Sequence, residues 1–249
     1  MAEKPEAPDF DLDDAVRVPD QLAVLPISDA VVFPYMMVPL VLSDANLIQL
    51  ADDVLADSKM LGTFTQLPEA TSNGNEDEEA NVGEEDVYEV GTAVVIQKML
   101  RFPDGSMRLL GQGITRIRRK KILQTEPYMV AEVEVLEEQE STDAKTVAYM
   151  RGVANNFIKI VDASEKLSDE LKVVAMNIDE PGRLADMVAT NLDIDVSEKQ
   201  KVLEILDPRE RLELLSEIVL RELEMVELGE KLQSRVRKAI DKDQREYYL

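Results

Sequence analysis

Fifty-one carboxylates, twenty-eight lysines and arginines, and no histidine or cysteine set the chemistry open to this sequence of 249 residues. Without imidazole or thiol there is no Ser-His or Cys-His nucleophile, no thiolate–imidazole zinc site and no disulfide. Carboxylate pairs abound, but a pair with no orienting base, metal ligand or defined pocket reads as solvated surface charge. Neither a Gly-x-x-x-x-Gly-Lys-Ser/Thr phosphate loop nor a Gly-x-Ser-x-Gly elbow occurs. Asn73, Asn75, Asp77 and Glu84 imitate the spacing of a calcium loop, but Glu78 stands where the sharp turn needs glycine. The residues thus assign no catalytic, cofactor-binding or metal position.

What remains is contact chemistry. Phe33, Pro34, Tyr35, Met36, Met37 and Pro39 crowd one turn, and Met99, Phe102, Met107 and Leu110 flank a second. Methionine and aromatic side chains suit soft, promiscuous surfaces, so these ten are the candidate polypeptide-binding residues. Strand alternation must bury part of the set. Arg116, Arg118, Arg119, Lys120 and Lys121 form the one basic cluster, which could track phosphates or neutralise acidic segments of the same chain. It lacks interleaved aromatic rings on which bases could stack, so a nucleic-acid partner is not expected.

The elements that must position these residues follow from pattern. Residues 1–20 carry seven acids against Lys4 and Arg17, with prolines and little apolar material, and read as a disordered acidic tail. Residues 69–89 carry nine acids and no base, and 69–86 read as a mobile acidic loop. From 21 to 137 short apolar runs predominate: 22–27, 31–34, 36–42, 60–65, 88–101, 107–123 and 128–136, with one helix opened by Ser43 or Asp44. Prolines at 26, 34 and 39 place the first strands at edges or bulges. Phe102-Pro-Asp-Gly-Ser106 is a hairpin turn, and 111–113 a bulge. This part is expected to form a small, partly closed barrel.

Beyond residue 141 the apolar period becomes helical, and 141–206 read as a helical lobe. Ser168, Pro181 and Ser197 open helices, the last with Gln200 in a capping-box position. Asp207 and Pro208 start one very long helix over 207–249, about 60 Å at 1.5 Å per residue. Its stripe thins after Gly229 to Leu232, Val236 and Ile240, and the chain stops at Tyr247 and Tyr248 without a C-cap. Those five residues are the candidate assembly helix, and the chain is expected to be part of a longer protein. No run approaches a membrane span, and no export signal is visible, so a cytoplasmic location is expected.

Three stretches carry a resemblance: 25–40 (LPISDAVVFPYMMVPL), 90–105 (VGTAVVIQKMLRFPDG) and 231–249 (KLQSRVRKAIDKDQREYYL). Together they resemble the N-terminal domain of Lon, the ATP-dependent serine protease. The resemblance implies an α+β fold with a PUA-like β lobe, a helical bundle and the long helix. It implies a homohexameric parent with an ATPase module, ATP and Mg, and a Ser-Lys peptidase, all outside these residues. The chain itself would hold no cofactor and would not be an enzyme. Its partners would be unfolded or degron-bearing proteins, with self-association through the long helix. The alternatives are a stand-alone PUA-like nucleic-acid-binding module, a Lon-domain adaptor or substrate receptor, and, remotely, a carboxylate-dependent hydrolase.

Overall fold

A computed structural model describes residues 17–68, 83–139, 143–164 and 166–247, with side chains in the last helix described to 229 and at Lys231. The expected tail over 1–16 and most of the acidic loop, 69–82, lie outside the described residues. So do the side chains of Leu232, Val236, Ile240 and Tyr247, and all of Tyr248.

The fold is α+β. Six strands, β1 (Gln21–Ile27), β2 (Met37–Leu42), β3 (Met60–Thr65), β4 (Val90–Arg101), β5 (Met107–Gln124) and β6 (Val130–Val135), form one sheet in the order β2-β5-β4-β3-β1-β6. α1 (Ala45–Ala56) precedes β3 and is capped by Asp44, whose carboxylate accepts from the N–H of Asn46 and Leu47. β5 is long enough to serve two partners. Its first third pairs with β2, and its last third pairs with β6, so the pairing returns on itself. Among the described strands only β1 and β3 run parallel.

Five helices follow: α2 (Ala144–Ala163), α3 (Glu170–Asn177), α4 (Pro181–Asn191), α5 (Val196–Glu204) and α6 (Pro208–Tyr247). Asp143 caps α2 through Thr146, and Asp207 accepts from Arg209 N–H at the start of α6. Gln200 is not the cap partner expected. It is buried, and its Nε2 donates to Val90 O at 2.9 Å, joining α5 to β4.

Residues 31–34 are not a strand. Pro34 has no N–H to give a ladder, and Tyr35 adopts a left-handed φ of 65°. The segment instead crosses β5 at Gly113, whose O accepts from Tyr35 N–H at 2.8 Å and whose N–H donates to Met36 O at 2.9 Å. A side chain at 113 would meet Phe33 O at 2.2 Å, so glycine is what lets the two backbones touch. Two register slips with β4 bracket the bulge expected at 111–113: one skips Ile114, and the other skips Gln97 of β4 between its partners Gly111 and Leu110.

The crossing delivers Val31 and Phe33 into a core shared with the helices, among Val90, Leu136, Phe157, Leu184, Leu203 and Leu215. A second core lies between the sheet and α1, around Leu40, Leu50, Leu61, Val94 and Met107.

One ionic cluster spans the same junction. Arg116 of β5, 2% exposed, donates through both Nη atoms to Asp186 of α4 at 2.9 and 2.6 Å, and through Nε to Leu203 O at 2.8 Å. Arg211 of α6 is fully buried and donates to Asp186 at 3.2 Å, to Glu138 at 3.0 Å and to Ile205 O at 2.7 Å. Burial pushes the Glu138 carboxyl up, and Arg211 and then Arg116 pull it back. Gly182 makes the space, since a Cβ there would lie 1.8 Å from Glu138 Oε1.

Removing the Asp186 charge leaves the buried guanidiniums of Arg116 and Arg211 without their shared carboxylate. Asp186→Asn is therefore expected to cost about 3–5 kcal/mol in urea unfolding, with circular dichroism of the surviving folded state unchanged. A cost within the error of the extrapolation would show that the cluster is not structural.

Candidate polypeptide-binding surface

The ten apolar candidates divide by strand face. β2, β5 and β4 lie side by side, and their register sets three cross-strand rows on one face. Val41, Arg108 and Leu100 form the first, Pro39, Leu110 and Lys98 the second, and Met37 stands beside Gln112 in the third. Gln97 Nε2 donates to Gln112 Oε1 at 2.9 Å and extends that third row. Met37 is 48% exposed, and Val41 and Leu100 are each 64% exposed. Contiguous apolar exposure on a strand face is uncommon in a folded domain and marks contact surfaces.

Met37, Pro39 and Leu110 are thus brought together, although they belong to two separate turns in the sequence. Phe102 caps the hairpin tip, half-buried, with the Arg108 guanidinium 4.4 Å above its ring centroid. The tip is held by Phe102 N–H on Ser106 O and by Asp104, which accepts from the Ser106 N–H and hydroxyl. Those two bonds hold the Asp104 carboxyl below the usual carboxylate range. Met99, paired with Leu109 on the opposite face, is exposed.

Three candidates leave the surface. Phe33 and Met107 are wholly buried, and Pro34 is buried beside Phe33. Phe33 enters the helical core and Met107 the core under α1, because each lies on the inward side of the backbone it belongs to. Met36 is half-buried against the helical core. Tyr35 is exposed but sits at the seam with α4, where the Arg183 guanidinium lies 5.3 Å from its ring centroid. Burial and then the Glu180 charge push its phenol up.

Val41 and Leu100 are the contributors the sequence reading missed. Period-two alternation through Met37 and Pro39 carries the signal for Val41, and pairing across from Arg108 places Leu100.

The basic cluster is not one surface. Arg116 is buried on Asp186, Arg119 meets Glu84 Oε1 at 2.8 Å, and Lys120 lies 3.4 Å from Glu134. Three of the five are thus paired with carboxylates, while Arg118 and Lys121 are exposed and form no ion pair among the described residues. Among the described residues there is no group of three or more acidic side chains able to hold a metal, and no helix is long and apolar enough to cross a membrane.

Residues 21–221 match the family model described as ATP-dependent protease La (LON) substrate-binding domain. The Lon protease of Dictyoglomus thermophilum is 38% identical over 239 residues, 96% of this chain and 29% of that protein. The Lon protease of Desulfosudis oleivorans is 32% identical over 247 residues, 99% of this chain and 29% of that protein. The chain therefore spans under a third of the length of these relatives. Among solved structures, the N-terminal domain of a Mycobacterium avium complex Lon protease superposes with a TM-score of 0.65 at 22% identity, covering 80% of this chain and 97% of that one. The Lon N-terminal domain protein of Xanthomonas campestris gives 0.56 at 17% identity, covering 78% and 96%.

Replacing Val41 and Leu100 together by serine is expected to reduce binding of an environment-sensitive apolar dye by at least half. Because neither side chain supports a core, the urea midpoint should shift little. An unchanged dye signal would mean that the rows are not an accessible apolar surface.

Proposed function

The chain belongs to the family of Lon substrate-binding domains, and from that premise we propose that it is the substrate-recognition and assembly-supporting part of an ATP-dependent Lon-type protease. In this reading the longer protein degrades misfolded and regulatory proteins in the cytoplasm, as part of protein quality control and the stress response. ATP hydrolysis with Mg and Ser-Lys peptide cleavage belong to modules outside these residues, in a homohexamer. The returning sheet is read as a PUA-like barrel, 21–137, followed by a helical lobe, 141–206, and a helix from 207 that leads to the ATPase module and contributes to assembly.

The observation that carries the reading is the solvent-facing apolar face of Met37, Pro39, Val41, Leu100 and Leu110 on a rigid sheet. Its charged members, Lys98 and Arg108, make no ion pair among the described residues, in a chain of net charge −23. Unfolded polypeptide offers the apolar side chains that such a face can cover. Contact of this size is weak for one copy and becomes useful when several copies act on one chain.

The test is capture of reduced, carboxymethylated α-lactalbumin, which cannot fold. The chain should bind it weakly, and Met37→Ser combined with Val41→Ser and Leu110→Ser should lower affinity about tenfold or more. Neutralising Arg118, Lys120 and Lys121 should change it less than twofold at physiological salt. The reverse order of effects would assign the contact to the basic strand. The same chain should turn over neither ATP nor the reporter, and turnover retained after mutation of the full-length protein's catalytic residues would sink that assignment.

A further inference from the structure

β2 has a free edge, distinct from the face described above. Met36 O accepts from Gly113 N–H, which fixes the parity of the ladder. Val38 and Leu40 turn their backbone groups to β5, and those of Met37, Pro39 and Val41 turn away from it. Pro39, which has no N–H, falls on the outward set, where its missing donor costs the sheet nothing. The N–H groups of Met37 and Val41 and three carbonyls face an edge with which no described strand pairs. Unpaired edges of this kind are templates for an added strand.

Two clefts, about 490 and 270 Å³, lie along that edge and share Asp29, Ala30, Val38 and Pro39. Ile27 and Leu47 line the larger, and Phe33, Met36, Ile194 and Val196 the smaller. Lys199 of α5 also lines the smaller. It is half-buried, its Nζ donates to Thr190 O at 3.2 Å, and it forms no ion pair among the described residues. An ammonium has three donors, and this one uses a single described acceptor. Burial pushes its pKa down, and only Asp193 acts against that shift. Asp29, the other charged side chain described along the smaller cleft, is exposed.

We propose that this groove takes an extended polypeptide segment as an added strand on β2, with an apolar side chain in the smaller cleft and a carboxylate on Lys199 Nζ. The inference rests on the polypeptide-binding reading and narrows its substrate class to extended segments in which an apolar residue lies beside a carboxylate. The backbone edge selects an extended chain rather than a helix, because a helix satisfies its own N–H and C=O groups. The apolar lining selects the side chain, and a partly desolvated ammonium gains more from an anion than a solvated one does. An aspartate or glutamate side chain and a C-terminal carboxylate present the same group to Lys199.

Three fluorescein-labelled decapeptides built on Val-Leu-X-Val-Leu test this. In the first X is glutamate with an amidated end, in the second glutamine with an amidated end, and in the third glutamine with a free terminal leucine carboxylate. Fluorescence anisotropy should show one of the carboxylate peptides binding about tenfold more tightly than the uncharged one, a difference of the size of one charge-assisted hydrogen bond. Whichever of the first and third peptides gains identifies the source of the carboxylate. Lys199→Gln should erase the gain, and Lys199→Arg should keep most of it, which separates loss of charge from loss of fold. Hydrogen exchange at the Met37 and Val41 amides should slow on binding. Equal affinity for all three peptides, a gain that survives Lys199→Gln, or unchanged exchange at both amides overturns the groove inference while leaving capture of the unfolded reporter intact. If neither the peptides nor the reporter bind, both readings fail.

Discussion

The contact on which the rest of the structure depends is the pair of guanidiniums, Arg116 and Arg211, closed around Asp186 and Glu138. Each comes from a different piece of chain: a strand, the last helix, the middle of α4 and the linker after β6. Two cations and two anions cancel, and the spare guanidinium hydrogens are taken by the carbonyls of Leu203 and Ile205. Desolvating Arg116, Arg211 and Asp186 is expensive, and only dense mutual satisfaction, with Glu138 closing the cluster from its solvent side, offsets it. The geometry is therefore specific. A hydrophobic patch would tolerate sliding of the helices on the sheet, whereas bidentate donation to Asp186 fixes one orientation.

That orientation decides which surface the sheet has left to offer. Phe33 and Val31 enter the helical core through the crossing at Gly113, and Gln200 ties α5 to Val90. The other side of β2, β5 and β4 packs into the core that α1 shares with Leu25 of β1 and Leu61 of β3. With both of these committed, the outward rows of β2, β5 and β4 stay in solvent, as do Leu123 and Val135 on the part of the sheet where β5 meets β6. A contact surface on strands backed by two cores moves little, so binding there spends less free energy on ordering the binder.

Several local patterns in the sequence hold, although the strand read at 31–34 and the capping box at Ser197 and Gln200 do not. The hairpin at 102–106, the caps at Asp44 and Asp207, and the helical period beyond residue 141 all depend on neighbours a few residues apart. Three of the five surface residues are legible in the same way, Met37 and Pro39 by alternation along one strand and Leu110 beside the hairpin. What the sequence hides is long-range. Arg116 looks like the first member of a basic run until Asp186, 70 residues away, takes both its Nη atoms. The visible hint is Asp186 itself, a charge inside the apolar run from Leu184 to Val188. Gln200 fits a capping box by spacing, yet its partner is a strand carbonyl 110 residues away. Tyr35 reads as part of one apolar turn, but a left-handed φ turns it towards Arg183 and away from the rows.

Pro39 resolves a tension that any exposed edge creates. An edge open to other chains is also open to a second copy of itself, and self-pairing leads to aggregation. A foreign strand laid on β2 meets one missing donor, at Pro39. A second β2 laid on it antiparallel brings its own proline as well, so the ladder loses two donors over six residues. Because each absent hydrogen bond leaves a carbonyl short of a partner, the penalty for self-pairing exceeds that for pairing with an ordinary segment. The proline therefore tilts the edge against its own copies while leaving the N–H groups of Met37 and Val41 and three carbonyls open to other strands. This asymmetry needs no change elsewhere in the fold, because the outward position is the one place in β2 where a proline leaves the ladder to β5 whole.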